Sequence, residues 1–358
     1  PLEGVPFGVK DLFDQAKRVT LAGSILLEEI GEPAEDDALI LRKLRALGAV
    51  PVGRTNMNEF AYGLDGFNPH TGDCPHPIAP DRIAGGSSSG SAWLVGSGIL
   101  PMALGTDTGG SVRIPAAFCG SYGFRGVPDA TARDGVFPLA PSFDTVGWFT
   151  SDPRDMMSLL DLLWNPSSKE ALPTPAEGAV QETAPGIETI WYSPDKVGLT
   201  PEASDVFAGF LSSRPEVESR THRSQEISGK LEAVIDDAFW AYNVIGSCEA
   251  FEVHRSWFSV YKERYNPEVW KLIDRSRHWE PGSLSYARTV KGEVERVLNQ
   301  LLQEVDAILM PAVHTPAPRM EEVDQSFRVD IIRLTSLASL AGLPVLTLPL
   351  PLESGLSV

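Results

Sequence analysis

Two glycine-serine clusters flank an apolar run in "AGGSSSGSAWLVGSGILPMALGTDTGGSVRIPA", residues 84–116. Ser87, Ser88 and Ser89 stand in the first cluster and Ser111 in the second. Hydroxyls in glycine-rich turns add little to a core, so the stretch asks for a chemical explanation. Three compete: an anion-cradling loop, a single nucleophile on a sharp turn, or two serines that meet. An anion cradle needs a Gly-Lys-Ser/Thr ending or a G-x-G-x-x-G entering a helix, and neither cluster supplies one. "GSSSG", residues 86–90, fits G-x-S-x-G with Ser88 at its centre, a pattern that needs a downstream histidine as base. The histidines that follow are His222, His254, His278 and His314. His314, after the strand-like "AILMPAV", is the best located; the other three sit in charged or helix-like polar contexts. This reading leaves the second cluster without a task.

The third explanation uses both clusters. Gly109 and Gly110 before Ser111 remove two Cβ atoms, so the backbone can turn tightly and approach a ligand. The N–H groups of Thr108, Gly109, Gly110 and Ser111 then converge on one concavity suited to a developing oxyanion. A serine hydroxyl needs a base, and Lys10 in the apolar "FGVKDLF" is the candidate. Burial disfavours the ammonium and makes a neutral amine available near pH 7. The competing explanation is a lysine that snorkels from a strand end.

These residues need elements to bring them together. "GVPFGVKDLF" reads as a strand running into a turn, and "DDALILRKLRALGAVPVGRTNMNEF" as helix, glycine stop and strand. "LVGSGILPMALGTD" repeats the pattern, with an apolar segment broken at Gly98 and a buried strand after it. "DPRDMMSLLDLLW" is amphipathic with a negative first turn. Residues 165–186 have linker composition, and residues 200–305 are mostly helical in pattern. "AILMPAV" and "LASLAGLPVLTLPLP" return to strand character with a helix between them. The expected fold is α/β: one sheet completed by both ends of the chain, with the helical middle as a wall or cap. No internal repeat is visible.

With 358 residues, 42% of them hydrophobic, the chain can bury a substantial core. Its net charge of −18 opposes binding to phosphate backbones and anionic lipid surfaces, so neither nucleic acid nor membrane is an expected partner. Three widely spaced cysteines, Cys74, Cys119 and Cys248, fit free thiols in a reducing cytoplasm. Pro1 in place of a start methionine and the abrupt "GLSV" lead us to expect a piece truncated at both ends.

The trio "GVPFGVKD", "GGSSSGSA" and "GTDTGGSVRIPAAFCG", in that order, resembles the amidase signature family of serine hydrolases. "RKLRALGAVPVGRTNMNEFAYG" and "LAGLPVLTLPLP" are also similar to family segments. The resemblance is dense over residues 1–160, thin over 165–300, and returns near the end. It implies a mixed, twisted β-sheet sandwiched by helices, a single domain over residues 1–358, and a variable, mostly helical substrate wall at 165–300. It further implies a Ser–cisSer–Lys triad: Ser111 as nucleophile, Ser87 as the bridging serine after a cis peptide, and Lys10 as base. By the same resemblance the N–H groups of Thr108, Gly109 and Gly110, with that of Ser111, form the oxyanion hole, and Ser88, Asp107 and Arg113 hold the two loops.

The implied activity is hydrolysis of a small, uncharged amide, with carbamates and ureides included, through an acyl-enzyme without metal or cofactor. "NPHTGDCPHP" gathers His70, Cys74 and His76, but the family has a loop near the substrate channel there, so no metal is expected. "GFRGVPDATARDGVF" lacks the family's Lys/Arg-Pro-Thr turn, which changes the adjacent substrate wall. "PSFDTVGWF", residues 141–149, is more similar to the indole-3-acetamide hydrolase branch than to the tRNA-amidotransferase branch. The alternative activity is that of the amidase component of a glutamine-dependent tRNA amidotransferase, which needs a partner; a free amidase is compatible with a homodimer. A third reading, an inactive binding relative like the chloroplast-envelope receptors, is opposed by intact Lys10, Ser87 and Ser111. Phe137, Phe143, Trp148, Trp240 and Tyr242 are candidates for either the pocket or the core.

Overall fold

The structure, a computed structural model, describes residues 1–129, 131–164, 189–192, 194, 197–213 and 229–358. The linker expected at 165–186 and His222 lie outside the described residues. Eight strands occur among the described residues: β1 (Pro6–Lys10), β2 (Val50–Thr55), β3 (Met102–Asp107), β4 (Tyr122–Arg125), β5 (Thr145–Thr150), β6 (Thr189–Trp191), β7 (Ala307–Leu309) and β8 (Val345–Thr347). The first helices are α1 (Ile25–Ile30), α2 (Leu39–Ala46), α3 (Ser89–Gly96), α4 (Arg113–Cys119) and α5 (Pro153–Leu163). Then come α6 (Pro201–Ser212), α7 (Ile235–His254), α8 (Pro267–Asp274), α9 (Ser283–Leu302) and α10 (Gln325–Leu340).

Six strands form one sheet in the order β2-β1-β3-β5-β4-β8. β1 runs parallel to β2 and β3, whereas β5 is antiparallel to β3 and β4, and β8 is antiparallel to β4. The sheet is therefore mixed, and both ends of the chain contribute to it. The period of two along β1 and β3 sorts side chains by face. Phe7, Val9, Met102 and Leu104 pack with α2 and α5 in one core layer, while Ala103 packs with Ala92 of α3 and Ala116 of α4 in the other. Helices thus cover both faces, and Lys10, two residues on from Gly8, falls on the α3 side.

Local signals account for the helix ends. Asp152 caps α5 by accepting from the Arg154 N–H, Pro153 occupies the first turn, and Asp155 adds the negative charge that the helix dipole favours. Gly98 takes φ +73, the left-handed conformation that turns the chain from α3 into β3. One expectation is corrected. "AILMPAV" yields β7, but β7 pairs in parallel with β6 in a separate two-stranded sheet and not in the main one. The segment is three residues long and is followed closely by Pro311, which has no N–H for a ladder, so it serves a short local pairing. The helical middle packs on itself: α7 lies against α8, α9 and α10. Among the described residues no helix is long and apolar enough to cross a membrane.

Candidate active site

Lys10 ends β1 in the middle of the sheet, fully buried. Its Nζ lies within hydrogen-bond distance of three hydroxyls: Ser87 Oγ at 2.8 Å, Ser88 Oγ at 2.9 Å and Thr106 Oγ1 at 2.8 Å. Burial lowers its pKa from the ordinary lysine value to about 7, against an opposing pull from the Asp107 and Asp144 carboxylates. Among the described residues no carboxylate comes within ion-pair distance of Nζ. A neutral amine has two N–H donors and one lone pair, so one of the three hydroxyls must then donate to it.

Ser87 and Ser88 immediately precede α3, whose short apolar body is buried between the sheet and α4. The Gly86–Ser87 peptide bond is cis. Asn58 braces this loop: its N–H donates to the Ser87 carbonyl at 3.3 Å, and its Oδ1 accepts from Gly66 at 3.1 Å. Ser88 also donates to the Thr106 carbonyl at 3.2 Å, so it ties the first serine loop to the end of β3.

The second loop follows β3 directly. Ser111 is buried, and its carbonyl accepts from the Ser88 N–H at 3.3 Å, which joins the two clusters through their backbones. Among the described residues the Ser111 hydroxyl makes no hydrogen bond, to Ser87 or to any other group. Of the four N–H groups expected to converge, that of Gly110 is already taken: it donates to Asp107 Oδ1 at 2.9 Å. This corrects the expectation for Gly110, because a carboxylate three residues back captures its donor. Those of Thr108, Gly109 and Ser111 donate to no acceptor among the described residues.

Asp107 organises the loop. Its carboxylate also accepts from the Val112 and Arg113 N–H groups at 3.0 and 3.3 Å, from Arg113 Nε and Nη2 at 3.0 and 2.8 Å, and from Arg125 Nη1 at 2.8 Å. Burial pushes its carboxyl upward, but Arg113 and Arg125 outweigh that and hold it far below the usual carboxylate range. Arg113 further donates to the Thr335 carbonyl and Ser339 Oγ of α10, each at 2.8 Å. Asp144, before β5, accepts from the Thr108 hydroxyl at 2.6 Å. Thr106, Arg125, Asp144 and Asn58 were not singled out from sequence; a lone arginine in the otherwise apolar "YGFR" is the signal that marks Arg125 as a buried ion-pair partner.

The other candidates disperse. Ser88 meets no histidine among the described residues; the His314 ring lies tilted against Phe327, His278 pairs with Asp274 at the surface, and His254 is buried among aromatic rings. His70 faces Glu59 at 3.1 Å, His76 Nε2 bonds the Phe118 carbonyl at 2.8 Å, and Cys74 lies in the α3 core layer. Among the described residues no three His, Cys, Asp or Glu side chains are grouped to hold a metal. Trp148 and Phe143 are fully buried, and Trp240 packs on Trp279 and Tyr286. Tyr242 of α7 reaches the second serine loop, where its hydroxyl would stand 2.0 Å from a Cβ at position 109. Phe137 lines a narrow cleft of about 10 Å³ together with Leu12, Ala61, Thr106, Thr108 and Asp144. A wider surface cavity of about 480 Å³, at Lys17, Arg18 and the edge strand β2, contains none of these groups.

The arrangement holds a buried amine, two serine loops joined through their backbones, and backbone donors without an acceptor among the described residues, parts that acyl transfer uses. The family model described as Amidase matches residues 1–358. The chain is 30% identical to "Amidase 1" of Arabidopsis thaliana, covering 100% of this chain and 88% of that protein. Over 163 residues it is 44% identical to the "Indoleacetamide hydrolase" of Pseudomonas savastanoi, which covers 46% of this chain and 35% of that one. A solved structure described as "Crystal structure of amidase" has a TM-score of 0.80 at 31% identity, covering 100% of this chain and 80% of the other. With the match running the full length in sequence and in fold, the chain belongs to the amidase signature family.

Proposed function

We propose that the chain hydrolyses a small carboxylic amide through a serine acyl-enzyme, with Ser111 as nucleophile, Ser87 as relay and Lys10 as base. The observation that carries this reading is the fully buried Lys10 amine, 2.8 Å from Ser87 and with a pKa near neutrality. Ser111 Oγ attacks the amide carbonyl carbon; its proton passes to Ser87 while the Ser87 proton passes to Lys10. The reading requires Ser111 to come within hydrogen-bond reach of Ser87 when substrate is bound, as catalytic contacts commonly tighten in the complex. The oxyanion is met by the N–H groups of Thr108, Gly109 and Ser111, while Gly110 and Asp107 keep the loop in shape. The proton held at Lys10 returns through Ser87 to the leaving nitrogen as the C–N bond breaks. Water then attacks the acyl-enzyme, giving its proton to the same relay, and Ser111 is regenerated.

Tyr242 against Gly109 supports reading the helical middle as a wall of the site within one domain. The unpaired Cys74, Cys119 and Cys248 support a reducing, cytoplasmic setting. The test is release of ammonia or amine by the isolated chain from a panel of amides, carbamates and ureides, beside Ser111→Ala. We expect turnover without a second protein, and loss of about 10³-fold or more in Ser111→Ala with unchanged folding. Turnover that Ser111→Ala retains rejects the mechanism, and turnover only with a partner protein favours the amidotransferase reading.

A further inference from the structure

The acyl side of the substrate has no assigned contact in the mechanism above, on which this inference rests. The cleft beside Thr106 and Thr108 is mostly apolar and contains two charged groups, Asp144 and Arg133. Asp144 is already used: it accepts from the Thr108 hydroxyl at 2.6 Å, from the Leu139 N–H at 2.9 Å and from the Ala140 N–H at 3.0 Å. Arg133 is the opposite case. Its Nε is buried without a hydrogen-bond partner, and among the described residues its guanidinium joins no ion pair.

The chain nonetheless fixes this residue firmly. The Arg133 N–H donates to the Asp129 carbonyl at 3.2 Å, and its carbonyl accepts from Val136 at 3.0 Å. Phe137 then bonds the Leu12 carbonyl at 2.9 Å, two residues beyond Lys10, and the neighbouring Asp134 pairs with Arg42 at 2.8 Å. Backbone and neighbours place Arg133, so its Nε, without a partner among the described residues, can serve a bound molecule. This turn lies in the segment where the sequence departs from the family pattern. A buried N–H without an acceptor is costly, and a ligand oxygen removes the cost. Charge points the same way. Around the site Arg113, Arg125 and Arg133 face Asp107 and Asp144, leaving one positive charge in excess when Lys10 is neutral, in a chain of net charge −18.

We propose that Arg133 determines specificity by engaging a carboxylate on the acyl chain of the substrate. The preferred substrates are then half-amides of dicarboxylic acids, and not the uncharged amides expected from the sequence. The guanidinium fork matches a carboxylate with two parallel hydrogen bonds, which an uncharged alkyl end cannot accept.

The test compares succinamate with its uncharged isostere 4-methylpentanamide. Calorimetric binding is measured to Ser111→Ala and to Ser111→Ala/Arg133→Met, so the readout does not depend on turnover. We expect succinamate to bind about 10- to 100-fold more tightly than the isostere when Arg133 is present, and the preference to vanish with Arg133→Met. A purely structural role would weaken both ligands together and leave their ratio unchanged. Equal binding with Arg133 intact, no binding by either, or a preference that survives Arg133→Met overturns the proposal. Failure of the hydrolase reading shows separately, as absent turnover by the unmodified chain across the amide panel.

Discussion

Gly109 has no side chain because none fits: a Cβ there would lie 2.0 Å from the Tyr242 hydroxyl and 2.5 Å from its ring. Gly105 serves the first loop in the same way, since a Cβ would come within 3.0 Å of Ser88 Oγ and 2.7 Å of Phe149. These two absences let α7 and α3 close on the ends of β3. Gly109→Ala must push Tyr242 aside or shift the donors beside Ser111. We expect kcat to fall about 100-fold with folding retained, as displacements near 1 Å do elsewhere; steady-state kinetics beside a thermal melt check this, and an unchanged kcat rejects the close approach. The sequence shows that glycine is needed at this point, but it does not show which distant residue takes up the space.

At the scale of elements, Asp107 is where β3, α4, β4 and α10 are joined. Arg113 and Arg125 both need its carboxylate, and Arg113 reaches on to α10. Asp107→Asn leaves two buried guanidiniums facing one neutral amide. We expect a loss of about 3–5 kcal/mol in urea unfolding, because removal of one partner exposes the full cost of the buried charges left behind. A loss below about 1 kcal/mol contradicts this account of the loop. Asp107 and Arg113 were expected to hold the loop only through the family resemblance, whereas Arg125 needed the sheet order to bring it near. Strand β1 and helix α2 were legible from their periods. β4 and β5 were not, because strands covered on both faces lose the alternation that identifies a half-buried strand. β7 is recognisable as a strand but not by its partner, since three residues carry no information on pairing.

The lowered pKa of Lys10 is a property of the whole molecule. No neighbour of Lys10 in sequence lowers its pKa; the sheet, α3 and the second serine loop together exclude water from it. The shift to about 7 corresponds to roughly 5 kcal/mol of differential stabilisation between its charged and neutral forms. The family resemblance, and not residue type or spacing alone, implied that Lys10 and Ser87 act together, and the structure has their side chains 2.8 Å apart. The capture of the Gly110 N–H by Asp107, and the Arg133 Nε that has no hydrogen-bond partner among the described residues, follow from the folded path of two turns and could not be read from sequence. In the proposed mechanism Lys10 serves as base only when neutral, so activation of Ser111 is expected above its folded pKa and is lost as pH falls through it. The most direct measurement is the rate of Ser111 modification by a fluorophosphonate between pH 5 and 9, which reports the nucleophile without a chosen substrate. The account predicts a rate that rises about tenfold per pH unit below a midpoint near 7, levels above it, and is abolished in Lys10→Met. A rate independent of pH across this range, or one that Lys10→Met leaves intact, contradicts it.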